Sequence, residues 1–493
     1  MSPSFPILTH EFYLAALPIL ILSVGAILAM LQSVFNAFKG KMAVSTVFFI
    51  CIVAALFSVF IPTQETSFLN GAYLSGTLAK FGQAFILIVA GAVALMFKET
   101  YLSDKLFKGE VTSLYLITVM GMLTMVSSDD VITLFIGLEL SSIGLYALIG
   151  YISPNRKSLE GAVKYFVLGS FAAALLLFGF GLLYASTGSI RLSEITRAIS
   201  SIGNHTWVTL GGMFVIAGLS FKLALMPFHA WAPDAYEGAP TGITALMATC
   251  SKLMIIIVTL RLFAGSLEPM AAEWQPMLAF VAVMSMIFGN VMALVQSNLK
   301  RMLAYSSIAH SGYMAISICA ISGHSELPFQ SILFYLCGYT LTSLVAFGVI
   351  MWLENEKADQ LTLSDISGLA KTHPWASFAL ATAMFSFAGM PPTVGFLGKF
   401  FIFNAALQDE LYGLIIIGAI GSTISLYYYL RVIVKMYMTE KPEIAPVFVA
   451  KRSYLLSLVV AIALTSVLAL GTLLPATVMA SLKKPSSSLL FEE

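Results

Sequence analysis

Charge is scarce in this sequence: Asp, Glu, Lys and Arg make up only 10% of 493 residues, 26 cations against 25 carboxylates. A soluble domain carries roughly a quarter charged residues, so a water-facing globule of this length is excluded. The near-balance of charge also leaves no basic field for nucleic acid. Cysteine is equally sparse. Cys51, Cys250, Cys319 and Cys337 fall in separate apolar stretches with no ligand-like spacing, so neither an iron–sulfur cluster nor a disulfide framework is readable, and small buried hydrophobe is the reading for each. There is no P-loop, no strand-borne GxGxxG and no polar stretch long enough for a nucleotide-binding domain. The chain is therefore expected to hold no cofactor, and its energy source must be a partner or an ion gradient.

What is abundant is hydrocarbon: 59% of residues are hydrophobic and the mean hydropathy is +0.91. A bilayer core about 30 Å thick needs about 20 mostly apolar residues per helix. Windows of that length, bounded by charges or Pro/Gly clusters, predict an all-α polytopic membrane protein with about fourteen spans: 13–33, 43–62, 78–97, 111–127, 130–151, 162–186, 208–228, 241–263, 276–296, 301–321, 328–353, 375–407, 412–434 and 455–481. The twelfth is too long for a simple span. No Lys or Arg precedes the first apolar run and no small-residue cleavage site follows it, so it is read as a retained helix. Positive loops resist translocation. Loops after odd-numbered spans hold Lys39, Lys41, Lys98, Lys105, Lys108, Arg156, Lys157, Lys300, Arg301, Lys357, Lys371, Lys435, Lys441, Lys451 and Arg452; the opposite side holds only Arg191, Arg197, Lys483 and Lys484. The odd loops are expected in the cytoplasm, with both termini outside.

Ionisable groups in mid-span are costly, at least about 2.5 to 3.5 kcal/mol each on insertion scales. Five stand out: Glu139 in "LFIGLELSSIGLYALIG", Lys164 in "GAVKYFVLGSF", Lys222 in "AGLSFKLALMPFHAW", Lys252 in "LMATCSKLMIIIVTLRLF" and Lys399 in "MPPTVGFLGKFFIFNAAL". Lys164 sits only about a turn inside its span, where snorkelling competes with function. Arg261 and Arg431, near span ends, are read as snorkelling. Asp129 and Asp130 are read as turn residues, and Asp234 and Glu237 as cap or loop-closing groups. The glycines of "GFGLLYASTG" read as helix-packing positions.

Pro227 lacks an N–H, so the Leu223 carbonyl loses its helix partner beside Lys222. Pro391 and Pro392 do the same to the carbonyls of Phe387 and Ala388, with Lys399 about two turns later. Such broken helices at matching places are the sequence pointer to a transport site built from repeats. "SFKLALMP" at 220–227 matches "SFAGMP" at 386–391, and "YFVLGSFAAALLLFG" matches "FYLCGYTLTSLVAFG". Five spans is an odd number, so repeats of spans 4–8 and 9–13 have opposite membrane orientation. The expected organisation is a three-helix segment (1–110), two inverted five-helix repeats (111–263 and 264–440), and a C-terminal helix and tail (441–493).

The phrases "FIGLELSSIGLYAL", "VKYFVLGSFA", "FKLALMPFHAWAPDAYEGAPT" and "SNLKRMLAYSSIAHSGYM" resemble the antiporter-like membrane subunits of respiratory complex I, the proton-translocating NADH:quinone oxidoreductase, over about residues 110–440. Among these the short C-terminus, Lys399 in place of a glutamate, and "KYFVLGSFAAALLLFGFGLLY" favour the N type. The resemblance implies that Glu139 faces Lys222, that Lys164 modulates, that Lys252 is the central relay and that Lys399 serves the far half-channel. Poor solvation disfavours an ammonium and a nearby carboxylate favours it, so a movable Glu139 would switch Lys222 between holding and releasing a proton. His229 and His310 are read either as links in the relay or as hydrogen-bonded structural imidazoles. NADH, FMN, iron–sulfur clusters and quinone are implied in partner subunits. The implied neighbours are subunit M, the small K and J subunits and membrane lipid in a bacterial cytoplasmic membrane. The alternative from another class is a subunit of a multisubunit sodium/proton antiporter.

Overall fold

The computed structural model describes residues 9–35, 41–98, 108–152, 155–202, 205–322, 326–354, 361–440 and 453–473. Lys39, Lys105, Lys357, Lys441, Lys451, Arg452, Lys483, Lys484 and both termini lie outside the described residues, so the expectations that rest on them stand where the sequence left them.

Helices α1 (His10–Phe35), α2 (Lys41–Val59) and α3 (Thr77–Lys98) form the opening segment, with a small hairpin, β1 (Thr66–Phe68) and β2 (Tyr73–Ser75), before α3. Hydropathy windows could not see that hairpin. Next come α4 (Gly109–Val126), α5 (Val131–Ile152), α6 (Arg156–Thr187), α7 (Leu192–Ser201), α8 (Thr206–Lys222) and α9 (Trp231–Gly238). A continuous helix, α10 (Thr241–Ser266), follows. The rest are α11 (Ala271–Leu294), α12 (Leu299–Cys319), α13 (Leu327–Leu353), α14 (Pro374–Ala388), α15 (Val394–Gln408), α16 (Tyr412–Met438) and α17 (Tyr454–Thr472).

Ten of these helices are long and apolar enough to cross a membrane. The other four expected spans are α2, the more polar α12, and the two interrupted segments α8–α9 and α14–α15. Segment α7 is not a span: Leu192, Ile195 and Ile199 make one buried stripe on a short surface helix, the amphipathic pattern of a helix lying on a core.

Both broken spans stop by the same cap. The Leu225 N–H donates to Ser220 and the Ala224 N–H to Phe221; at the second break Met390 donates to Phe385 and Gly389 to Ser386. Paired bonds of this kind define the Schellman motif, which needs a left-handed residue at its turn. Ala224 (φ 55°) and Gly389 (φ 81°) occupy that place.

Two pairs of neighbouring helices share further details. Gly121 of α4 lies against backbone at Gly137 and Ser141 of α5, and Gly289 of α11 against backbone at Tyr305 and Ala309 of α12. Asp130 caps α5 and bridges to Arg191, while Asn298 caps α12 and bridges to Thr362. Arg261 of α10 donates to the Val126 and Ser128 carbonyls at the end of α4 (3.0 and 2.5 Å). Arg431 of α16 does the same for the Leu294 and Gln296 carbonyls at the end of α11 (2.8 and 2.5 Å). The snorkelling expectation for both arginines is thereby corrected. Arg261 is 1% exposed and Arg431 half-buried, because each guanidinium turns inward to satisfy orphan carbonyls at a helix C-terminus.

Candidate functional site

Glu139 and the first polar cluster lie on one face of α5. Ser142 and Tyr146 follow Glu139 at i+3 and i+7, spacings that stack side chains along a helix. Lys222, the last residue of α8, is 4% exposed. It donates to Ser142 Oγ (2.6 Å) and Tyr146 OH (3.3 Å), and its ammonium lies 5.6 Å from the ring centres of Tyr146, Tyr165 and Phe221. Glu139 is close enough to act on Lys222 electrostatically. Yet it has no ion-pair partner among the described residues, and its Oε1 is buried without a hydrogen-bond partner among them. The family-implied facing of the two groups is thus a spaced relation, with hydroxyls taking the direct contacts.

The break connects this cluster to the next lysine. The Leu223 carbonyl, freed by Pro227, accepts from Ser311 Oγ at 2.7 Å. Lys252, also buried, donates to that same Ser311 Oγ (2.7 Å) and to the Ser307 carbonyl (2.6 Å). Its ammonium stands 4.9 Å from the centre of the Tyr339 ring. Lys252 follows a π-bulge at Met247–Ser251, a helix irregularity common at functional positions.

From Lys252 the polar line continues through aromatic hydroxyls. Ser307 Oγ accepts from Tyr339 (3.0 Å). His310 places Nδ1 2.5 Å from Tyr335 OH and Nε2 3.0 Å from Tyr429 OH, so both ring nitrogens are engaged. It lies within electrostatic reach of both Lys252 and Lys399. Lys399 closes the line: its ammonium donates to the Phe387 and Ala388 carbonyls (3.0 and 3.1 Å), the two freed by the prolines, and to Ser422 Oγ (2.9 Å), with the Tyr313 ring centre 5.0 Å away.

Two expected members stand apart. His229 packs edge-on against Phe288 at 4.7 Å, and its Nδ1 is buried without a partner among the described residues. It remains beside the break, with no bond to the lysines among the described residues. Lys164 is 42% exposed and ion-paired to Glu160 (2.7 Å) and Asp234 (2.6 Å). Asp234 and Glu237 lie on α9, a short helix, which replaces the loop expected there. Arg301 of α12 binds both (2.6 and 2.9 Å), and Lys157 binds Glu237 (2.8 Å). This network of six charged side chains ties α6, α9 and α12 at the lysine-rich end. The sequence reading missed it, and it missed the hydroxyls Ser142, Ser307, Ser311, Tyr335, Tyr339, Tyr429 and Ser422. The available signal was helical spacing: "ELSSIGLY" and "SSIAHSGY" put hydroxyls on the same faces as Glu139 and His310.

Among the described residues, ten long apolar helices, two broken spans and a buried line of three lysines define a membrane protein of the antiporter-like class. The model of the NADH:quinone oxidoreductase/Mrp antiporter transmembrane family matches residues 128–425. NADH-quinone oxidoreductase subunit N of Paramagnetospirillum magneticum is 36% identical over 95% of this chain and 96% of its own length. A chain of respiratory complex I from Thermus thermophilus superposes with a TM-score of 0.79 at 31% identity, covering 94% of this chain and 99% of that one. A chain of the Mrp complex of a Dietzia species has the same fold, with a TM-score of 0.79 at 18% identity over 97% and 98% of the two chains. The chain belongs to the NADH-quinone oxidoreductase subunit N family, as the N-type phrases had indicated.

Proposed function

We propose that this chain is a proton-translocating, non-redox membrane subunit of a bacterial NADH:quinone oxidoreductase. It couples quinone reduction elsewhere in the assembly to proton movement through Glu139, Lys222, Lys252, His310 and Lys399. Lys164 adjusts the first pair through Asp234, and His229 serves the break beside Pro227. The observation that carries the reading is Ser311, which contacts both the Leu223 carbonyl beside Lys222 and the Lys252 ammonium. Spaced amines joined by hydroxyls can pass a proton or a change of charge without a permanent open pore. The matched arginine caps and matched helix breaks support the two half-channel repeats at 111–263 and 264–440, flanked by 1–110 and 441–493. NADH, FMN, iron–sulfur clusters and quinone belong to partner subunits. The neighbours in this reading are subunit M and the small K and J subunits. The membrane is the bacterial cytoplasmic membrane, with both termini outside.

The sodium/proton antiporter reading is weaker, because 36% identity over most of the chain to a subunit N stands against 18% to the Mrp chain. Purification of the native complex separates the two. Copurifying FMN and iron–sulfur subunits, with loss of proton pumping in Lys252→Ala, are expected; an assembly without redox subunits that exchanges sodium for protons would replace this reading.

A further inference from the structure

At the end of the molecule opposite Lys157 and Arg301, a lateral groove of about 910 Å³ runs between the start of α5 and the last turns of α6. Its lower wall is apolar. Leu177 and Tyr184 of α6 and Ile132 of α5 are each about half exposed (49, 53 and 50%). Leu177 lies ten residues before the end of α6, about 15 Å of helix, so the groove reaches about halfway into a hydrocarbon core of about 30 Å. Gly181 opens it: a Cβ there would meet nothing within 4 Å, whereas Gly179, two residues earlier and on another face of the helix, is pressed against backbone at Gly211 and Val215. Only one of these two glycines of "GFGLLYASTG" is therefore used for helix packing. The mouth carries two opposite charges side by side, Arg191 and Glu194, whose Nη1 and Oε1 are 3.1 Å apart. Arg191 Nε is buried with no hydrogen-bond partner among the described residues. Arg191 is also one of only four cations assigned to this side.

We propose that the groove is a binding site for one phospholipid with an amine headgroup: acyl chains against Leu177 and Gly181, phosphate on the Arg191 guanidinium and ammonium on Glu194. An apolar slot open to the lipid-facing surface, with a cation and an anion together at the depth of a headgroup, is complementary to a zwitterion. A purely anionic headgroup would meet Glu194 repulsively. A guanidinium holds a phosphate by charge-assisted, often bidentate bonds.

The test uses the intact complex purified from its membrane and incubated with phosphatidylethanolamine or phosphatidylglycerol bearing a photoactivatable acyl chain. Labelling of α5 and α6 peptides around Ile132 and Tyr184 is expected, stronger for the ethanolamine lipid. Arg191→Gln should weaken labelling about tenfold, the effect of losing one charge-assisted contact, and Glu194→Gln should erase the headgroup preference. Gly181→Trp projects an indole into the groove from a position where a Cβ meets nothing within 4 Å and should abolish labelling; if that variant fails to assemble, Ile132→Trp narrows the same groove from the other wall. Equal labelling by both lipids in wild type, unchanged labelling in the groove-filling variant, or crosslinks to a protein neighbour at these positions would each overturn the proposal.

Discussion

Ser311 donates to the carbonyl of Leu223 at 2.7 Å, and so joins the residue next to Lys222 to the helix that receives Lys252. A hydroxyl between a freed carbonyl and an ammonium holds the break in place and links two charges that share no direct bond. Ser311→Ala removes both contacts while keeping the volume nearly unchanged. The expected result is an assembled complex with proton pumping in liposomes reduced several-fold, and Ser311→Thr close to wild type if it keeps the hydroxyl in place. Full pumping in Ser311→Ala would show that water replaces the serine without cost.

Glu139 invites a separation of charge from shape. Its Oε1 is buried without a partner among the described residues, so glutamine fits the same space without the charge. Quinone reductase activity and pumping should fall as far in Glu139→Gln as in Glu139→Ala, with subunit content intact. Glu139→Asp should be milder, since only the reach is shortened. Wild-type turnover in Glu139→Gln would leave the carboxylate no electrostatic part in the relay.

The arginine caps predict unequal losses of stability. Arg261 is fully buried beside Asp129 and holds two carbonyls, so Arg261→Met leaves a buried carboxylate and orphan acceptors, an effect of about 3 to 5 kcal/mol. Arg431 is half-buried, and water can take its place; about 1 to 2 kcal/mol is expected. Thermal unfolding in detergent, read by a thiol-reactive dye at the buried Cys250 and Cys319, should rank the variants in that order.

Much of this was legible in the sequence because hydrocarbon imposes a length and forbids free backbone. The fourteen spans follow from windows, and Pro227, Pro391 and Pro392 identify the freed carbonyls by their i−4 relation alone. Arg261 was not legible. Position near a span end suggests snorkelling, and only the tertiary fold brings the end of α4 within its reach. The ion network at Asp234 was hidden for the same reason, since Lys164 and Arg301 are far apart in the chain. Segment α7 escaped because its stripe of three apolar residues is too short for a membrane window.

Asp129 gives a pH-dependent test outside the spans. Burial pushes its carboxyl up to about 6 against the usual 3.8, opposed by the Arg261 charge. The folded chain therefore holds this proton over a range where the unfolded chain has lost it. Its contribution is favourable below pH 4 and is lost as pH rises towards about 6. Asp129→Asn removes that dependence. The melting temperature of the variant minus that of wild type should rise between about pH 4 and 6 and flatten above; a difference independent of pH would mean that Asp129 does not titrate there.

Lys222 decides between a relay and a counter-ion. Its ammonium is held by Ser142 and Tyr146 and not by a carboxylate, so a fixed positive charge at this place has no partner that demands it. Arginine keeps a cation that is effectively never neutral in a protein, and its planar fork can still reach the two hydroxyls. If Lys222 serves only to balance Glu139 at a distance, Lys222→Arg should pump nearly as well as wild type, and Lys222→Ala alone should fail. If Lys222 gives up its proton in each cycle, both variants assemble and both lose translocation, because the guanidinium never reaches the neutral form. We expect the second outcome. Reconstituted with a pH-sensitive dye, the Lys222→Arg complex should show normal subunit content beside strongly impaired pumping, and a fully active arginine variant would reduce Lys222 to a structural cation at the end of α8.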